Sequence, residues 1–567
     1  MGSRSTSSTA SWGWATTTSA PSRGASGAPG TRSWRIRTTS EPGRVPAHVA
    51  RPLGALLATL RPPGHRPDSG RAVLRPQPDE FARLATQGNL VPVAREILAD
   101  LETPLSLFRK LDDGRTAFLF ESVEGGEKWA RYSFIGTGAR AIFRARGAEI
   151  EWEEGGETLR MKAEGDPMEV LRDRIESYRP VLVPGQELPR FAGGAVGMVG
   201  WDWVRFVETI PDDNPDELGL PDLWFHFPET VVVFDNIKHT ASIVRHVHLE
   251  EGCDPAARYA EEVEALDRTV EILRRPGPPE PRHEPVRAPM AVRTSMSRDE
   301  YQAAVKRAKD YVVAGDVFQV VLGFRHTVPL QVDPFNLYRM LRHINPSPYL
   351  IYMQMEGPVL ISSSPEILVR LEGDQIDVRP IAGTRRRGRD PEDDQFMERE
   401  LRTDPKEIAE HVMLVDLGRN DAGRVAEIGS VEVTEFASIE RYSHVMHMVS
   451  NVQGRLRPGL DWLDLLRATF PAGTLSGAPK VRAMEIIDEL EAVRRGPFGG
   501  CAGYIDYSGN ADLAITIRSM LVNQGEVSLQ AGAGVVADSI PELEFKECNN
   551  KARAMIQAID MAREGQD

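Results

Sequence analysis

Cysteine is nearly absent from this 567-residue chain: there are three, Cys253, Cys501 and Cys548. No two of them have metal-ligand spacing, and three thiols build no disulfide framework, so a reducing compartment is expected. Long apolar runs are missing too. The longest uncharged glycine-rich run, Phe191 to Trp201, falls short of the ~18 residues of a membrane span and reads as strand and turn. Basic charge is scarce: the net charge is −15, which argues against a general nucleic-acid surface. No G-x-S-x-G or other Ser-His-Asp signature occurs, and no Cys lies in a nucleophile motif.

Lysine is missing altogether from residues 1–77, where eleven Arg face only Glu41 and Asp68. This head carries +9, leaving −24 on the other 490 residues. Its Ser/Thr/Gly/Pro-rich runs show no periodicity and bury too little apolar surface to offset chain entropy, so it is read as disordered. An organelle transit peptide has this composition; a start codon placed upstream of the true one gives it as well. The compartment is therefore read as cytoplasmic, with a plastid as the alternative.

What is present is a globular body. Hydrophobic residues make up 41%, enough for a substantial core. At ~100–200 residues per domain the length predicts about three to five units. DEFARLATQG reads as a helix closed by Gly88. The runs AFLFESV, SFIGTG, AIFRARG and EIEWEE suggest a strand meander, and FAGGAVGMVGWDWVRFVE adds strand. Six prolines in RRPGPPEPRHEPVRAPM mark a linker. It separates a first half (78–273) from a second (296–565), with the linker at 274–295. Ser297, Glu300 and Gly315 bracket a helix. DDQFMERELRTDPKEIAEHVMLVDLGRND reads as one long helix. Strands and helices do not alternate strictly, so α+β with large antiparallel sheets is expected.

Two helical segments carry paired acids. Glu407, Glu410 and His411 share one face, as do Glu544, Glu547 and Lys551. Two carboxylates on each of two helices are chemistry for a hard divalent cation such as Mg²⁺, although each pair alone is ordinary decoration of a solvated face. In RPIAGTRRRGR, Gly383, Thr384 and Arg385 to Arg387 make either an anion-binding turn or a solvated basic loop. Gly532 and Gly534 in QAGAGVV free backbone N–H groups for an anion but lack the dinucleotide spacing. PAGTLSGAPK fails as a phosphate loop, because Ala-Pro separates Gly477 from Lys480. Glu366 is a candidate general acid. His447 is a candidate proton carrier or a satisfied core residue. Arg518, alone in an apolar strand, must meet an anion if buried. Together these suggest a Mg²⁺-dependent enzyme acting on a small carboxylate.

At these residues the sequence resembles the chorismate-utilising enzymes over about Asp79 to Ala562. The motifs in family order are LFES, RYSFIG, FQVVL, NPSPYL, SSSPE, PIAGTRRRG, EHVMLVDLGRND, YSHVMH, PAGTLSGAPK, GAGVV and ECNNKARA. The resemblance implies two interleaved halves sharing two large antiparallel-rich β-sheets, packed as a sandwich with flanking helices. Within the family it points to the branch that turns chorismate and ammonia into anthranilate and pyruvate for tryptophan biosynthesis. It implies that Glu410 and Glu547 bind Mg²⁺, with Glu407 and Glu544 supporting through water. Gly383, Thr384, Arg518 and Gly532, Ala533 and Gly534 position substrate carboxylates, and Lys551 assists near the metal. Glu366 protonates the departing hydroxyl, and His447 serves pyruvate elimination.

Branches of the family differ at two positions. Water-adding members have a Lys where this chain has Gln319, and a neutral amide suits ammonia. Aminodeoxychorismate-forming members carry a Lys where this chain has Ala382. That folate branch, or a non-catalytic chorismate or tryptophan binder, is the alternative reading. Phe498 replaces a frequent Tyr and is kept as a site-lining residue. Glu121, Ser122, Asn345, Pro348, Tyr349, Leu350 and Tyr504 correspond to a tryptophan-inhibitor pocket, in which Glu121 pairs with an amino group. Leu350 replaces a frequent Met at conserved volume. No amidotransferase motif occurs, so a separate glutaminase subunit is expected, in a heterotetramer of two large and two small chains. Neither nucleic acid nor membrane is expected as a partner.

Overall fold

In the computed structural model, residues 73–122, 131–186, 188–279, 285–442 and 445–565 are described. The reading of the basic head falls outside them except at its end. Val73–Arg75, counted with the head by composition, form a short strand that pairs with Leu90–Leu98. The described residues gather in one compact unit.

Every ladder between strands is antiparallel among the described residues, and the ladders join in one continuous network that folds over into two large sheets. Two long strands, Tyr132–Arg146 and Leu223–Asp235, belong to both. The first half of Tyr132–Arg146 pairs with Ala117–Glu121, and its second half pairs with Glu149–Glu154. Between these halves the register against Leu223–Asp235 shifts at Ala139/Ala141, beside Gly138 with φ +68°. A bulge with a left-handed glycine bends a strand and re-aims it, and here the chain passes from one sheet to the other.

The first sheet continues from Ala117–Glu121 through Tyr349–Gln354, Val359–Ser364, Ser519–Asn523 and Glu526–Val535 to Gln319–Pro329. The second runs from Leu223–Asp235 through Gly194–Val199, Cys501–Asp506, Ala511–Ile515, Ile367–Glu372 and Gln375–Val378 to Val445–Arg455. Segments on the two sides of the Pro-rich stretch thus supply neighbouring strands to both sheets. The interior between the sheets is aromatic and aliphatic: Phe118, Phe120, Phe134, Met198, Trp224, Ile351, Met353 and Tyr504 pack there. Helices cover the outer faces, including Pro334–Ile344 and Pro541–Glu564 on the first sheet. This is the expected α+β sandwich.

Local differences have local causes. The long acidic helix is two, Pro391–Thr403 and Pro405–Gly423. Pro405 lacks an N–H and disfavours helix in the residue before it, so Asp404 turns extended and caps the second helix instead. Trp201–Phe206 is a 3₁₀ helix, not strand, beginning after Gly200. The helix opened at Asp79 ends at Leu84, short of Gly88. Ser297, Glu300 and Gly315 cap Arg298–Ala314 as expected. Among the described residues no helix is long and apolar enough to cross a membrane.

One buried ion pair ties the loop after Lys480–Leu490 to the rest. Arg495 and Glu491, both almost fully buried, pair at 2.6 Å, and Arg495 also donates to the Leu475 and Val321 carbonyls at 2.8 Å. Its guanidinium lies 4.2 Å from the Trp201 ring. Arg495→Met is expected to lower unfolding free energy by about 3–5 kcal/mol in urea titration, because Glu491 is left buried and unpaired. A loss under about 1 kcal/mol would contradict that account.

Candidate active site

The candidate residues converge from both sheets and two helices. Thr384 and His447 are cross-strand partners. The register shifts at Ala382/Thr384, where Gly383 adopts φ +68°. A Cβ there would stand 2.8 Å from Leu401 Cδ1 and 3.0 Å from Glu407 Oε2, so only glycine fits. His447 Nδ1 lies 3.0 Å from Thr384 Oγ1 and 3.3 Å from the Gly383 carbonyl oxygen. A carbonyl only accepts, so these partners assign the hydrogen to Nδ1 and the lone pair to Nε2. Burial pushes the imidazole down to about 4, and Arg518 adds to this. His447 is therefore neutral at physiological pH.

Glu366 follows the strand Val359–Ser364 and is almost fully buried. Burial raises its carboxyl to about 8, against bonds from Thr474 and the Ile381 backbone and the charges of Arg518 and Lys551. It is a carboxylic acid that still holds its proton at pH 7. Arg518 carries a left-handed backbone, φ +52°, uncommon for a non-glycine residue. Burial lowers its guanidinium, opposed by Glu547 and Glu366. Among the described residues no side chain hydrogen-bonds or ion-pairs with it. A half-buried cation that no side chain pairs can receive an anion.

Lys551 is the second cation. Its Nζ lies 2.9 Å from Glu547 Oε1 and donates to the Gly532 carbonyl at 2.9 Å. Its charge reaches Glu366, Glu410 and Glu544. Gly532, Ala533 and Gly534 run opposite Gln319–Pro329. A Cβ at Gly534 would stand 2.3 Å from Gln319 Nε2, so the glycine makes room for that amide. The Gln319 side chain in turn favours the charged form of Glu410. Burial raises Glu410 and Glu544, and each is raised further by the neighbouring acid, Glu407 or Glu547. Among the described residues no three His, Cys, Asp or Glu side chains form a metal cage. Mg²⁺ does not need one: it is held through one or two carboxylates and keeps several waters. Like-charged acids on two helices facing one lysine fit that requirement.

Several expectations change. Arg385 donates to Glu407 at 2.7 Å and to Asp404 at 2.8 Å, while Arg386 and Arg387 pair with Asp393 and Asp394. The acidic helices consume the charge of this run, so it is no anion site. Glu407 is engaged by Arg385 rather than free beside Glu410. Phe498 packs on Arg495, 5.4 Å from its guanidinium, and lines a different cavity with Arg325 and Thr516.

A second cavity opens between the sheets. Phe120, Glu121, Ser122, Pro348, Tyr349, Leu350 and Tyr504 line it. Its walls are aromatic, with Tyr504 stacked on Phe191 at 4.3 Å. Its polar end is Asp512, which accepts from the Tyr349 hydroxyl at 2.8 Å and from Arg370 at 3.1 Å, with Arg190 at 3.7 Å. Glu121 contributes to the lining, but its carboxylate turns to the helix side, where it accepts from Tyr338 at 2.6 Å and Arg342 at 2.9 Å on Pro334–Ile344. It already has its cation. Asn345 is bonded to Ser363 at 2.9 Å and is not among the lining residues. Asp512, Arg370 and Arg190 were missed, yet Arg370 in EILVRL gives the same signal as Arg518, a lone charge in an apolar strand.

With this geometry in place the kinship is plain. The model of the chorismate-binding enzyme family matches residues 116–557, and the chain belongs to that family. Over 498 residues it is 48% identical to anthranilate synthase component 1 of Pseudomonas aeruginosa, covering 86% of this chain and 99% of the relative. The Acetivibrio thermocellus protein of the same name is 45% identical over 498 residues, 86% of this chain and 99% of that one. The crystal structure of anthranilate synthase component I from Streptococcus pneumoniae superposes with a TM-score of 0.67 at 34% identity, covering 81% of this chain and 98% of that one. MenF, the menaquinone-specific isochorismate synthase of Escherichia coli, shares the fold at 16% identity, with a TM-score of 0.64 over 85% of this chain and 100% of that one.

The raised Glu366 predicts a pH-dependent stability. Between about 4.5 and 8 the folded state holds a proton that the unfolded state has lost, so this group's contribution falls as pH rises. Glu366→Gln is expected to melt near wild type at pH 4 and above it at pH 8. Equal melting at both pH values would contradict the protonated form.

Proposed function

We propose that this chain is the component of anthranilate synthase that converts chorismate and ammonia to anthranilate and pyruvate. The observation that carries this reading is Glu366, a buried carboxyl uncharged at neutral pH and faced by the unpartnered guanidinium of Arg518. Losing a ring hydroxyl from a substrate that bears carboxylates needs an acid for the leaving group and cations for the charge.

The residues divide this work. Arg518 takes a substrate carboxylate, and Gly383, Thr384, Gly532, Ala533 and Gly534 orient the substrate with a hydroxyl and backbone groups. Glu366 protonates the departing hydroxyl. His447 accepts a proton at Nε2 for pyruvate elimination. Lys551 holds positive charge between Glu547 and Glu366. Glu410 and Glu547 would hold Mg²⁺, with Glu544 beside them; the ion would supply Lewis-acid charge for a substrate carboxylate. Gln319 brings a neutral amide where water would need a base, which favours ammonia as nucleophile. A separate glutamine amidotransferase subunit, anthranilate synthase component II, supplies the ammonia in a heterotetramer, and the compartment is cytoplasmic.

The second cavity suits L-tryptophan as a feedback inhibitor. Phe120, Phe134 and Tyr504 offer aromatic contact for an indole, and Arg190, held 3.7 Å from Asp512, offers positive charge for a carboxylate. Ser122, Pro348, Tyr349 and Leu350 complete the wall.

Purified protein given chorismate, Mg²⁺ and an ammonium salt should produce anthranilate fluorescence, lost on chelation and restored by Mg²⁺. 4-Aminodeoxychorismate as product would point to the folate branch, and isochorismate would overturn the Gln319 argument. Glu366→Gln should lower kcat by about 10²–10⁴-fold. Ala502, at the wall of the second cavity, tests the inhibitor site. Ala502→Leu should weaken tryptophan inhibition at least about 10-fold, a change of ~1.4 kcal/mol, and leave the uninhibited rate near wild type. Unchanged inhibition would remove tryptophan from that cavity.

A further inference from the structure

The segment PAGTLSGAPK fits no phosphate loop, and the roles above do not use it. Three contacts set its path. The backbone N–H groups of Leu475 and Ser476 donate to the Ala472 carbonyl at 3.1 Å, and the Ser476 hydroxyl donates to it at 2.9 Å. Arg495 holds the Leu475 carbonyl at 2.8 Å. Gly473 lies against Pro405–Gly423, so closely that a Cβ would stand 1.9 Å from Leu417 Cδ2. The tight turn directs Thr474 at the acid, and its hydroxyl donates to Glu366 Oε1 at 3.1 Å. Among the described residues no other side chain hydrogen-bonds that carboxyl.

We propose that Thr474 is a positioning residue for the reaction: its hydroxyl occupies Oε1 of Glu366, confines the transferable proton to Oε2, and stabilises the carboxylate left once that proton has gone. This rests on Glu366 being the acid. A carboxyl delivers a proton from one oxygen at a time, so an acid free to carry it on either oxygen presents the wrong one for part of the time. The bond from a neutral hydroxyl also strengthens when its acceptor becomes charged. It therefore acts in the transition state more than in the ground state, as a catalytic interaction must.

The other groups facing Glu366 act differently. Arg518 and Lys551 lower its affinity for protons through space, and the Ile381 backbone N–H does so from the strand Ile381–Arg386. Arg379 and Asp421 line the same cleft, with Asp421 neutralised by Lys480 at 2.8 Å. None of these charged side chains selects between the two carboxyl oxygens. Among the side chains only Thr474 does, because it touches one of them; the Ile381 N–H also bonds the carboxyl, from the backbone, and stays in place when Thr474 is changed.

Thr474→Val keeps the shape and removes the donor. With saturating ammonium and Mg²⁺, kcat for anthranilate formation should fall about 10-fold. Without that donor Glu366 holds its proton more tightly, so the alkaline limb of kcat/KM against pH should move up by about one unit, the worth of one hydrogen bond to a charged group. Thr474→Ser should restore both values, which a packing role would not require. Should the valine variant melt early, Thr474→Ala compared with Thr474→Ser gives the same contrast. A wild-type kcat and an unmoved alkaline limb in the variant lacking the hydroxyl would overturn the proposal. Glu366→Gln separates the two readings. If that variant is inactive while Thr474→Val behaves as wild type, only the role of Thr474 falls; if it stays active, the acid itself is wrongly assigned.

Discussion

Two strands that each serve two sheets constrain everything else in this molecule. Tyr132–Arg146 and Leu223–Asp235 stay paired with one another across the bulge at Ala139/Ala141, so the sheets cannot slide apart or change their angle. That junction holds an aromatic interior of fixed width and leaves a cavity within it, beside Tyr349 and Tyr504. From the same frame Val359–Ser364 and Ala511–Ile515 lie in different sheets, yet the chain leaving each meets the other. Ile515 N–H donates to the Glu366 carbonyl at 3.0 Å, and Ser363 N–H donates to the Arg518 carbonyl at 3.2 Å. The backbones that carry Glu366 and Arg518 are thus joined directly, which fixes the spacing of the two segments.

The electrostatics of the site follow from burial acting on unlike groups. Removing solvent keeps the proton on Glu366, strips it from His447 and makes the charge on Arg518 expensive. One cause yields a donor, an acceptor and a cation in need of an anion. The basic run Arg385 to Arg387 shows the contrast. It sits among Asp393, Asp394, Asp404 and Glu407 and finds its partners at home.

Much of this was legible in order along the chain. The caps Ser297 and Gly315 and the acid pairs of Pro405–Gly423 and Pro541–Glu564 are local patterns, and local physics reproduces them. Thr384 and His447, by contrast, lie 63 positions apart and meet only through register. Thr474 and Glu366 are 108 apart. Nothing local marks a threonine in a glycine-rich turn as the partner of a distant acid. Glu121 misled for a related reason. Its motif placed it at the second cavity, and it does line it, but strand alternation sends its carboxylate to the other face, where Arg342 pairs with it.

The sequence by itself determined the residue types, their grouping on helix faces, the interruption of the acidic helix at Pro405 and membership of a chorismate-binding family. Those follow from short-range sterics, periodicity and motif content. Only the tertiary structure decided which charges remain uncompensated. Arg518 and Arg385 are both arginines beside functional motifs, and composition cannot tell them apart. One has a left-handed backbone and is half-buried without a counterion among the described residues, and the other reaches three acids on neighbouring helices. Whether a charge is spent on the fold or left for a ligand depends on distances and burial, and these exist only once the chain has folded.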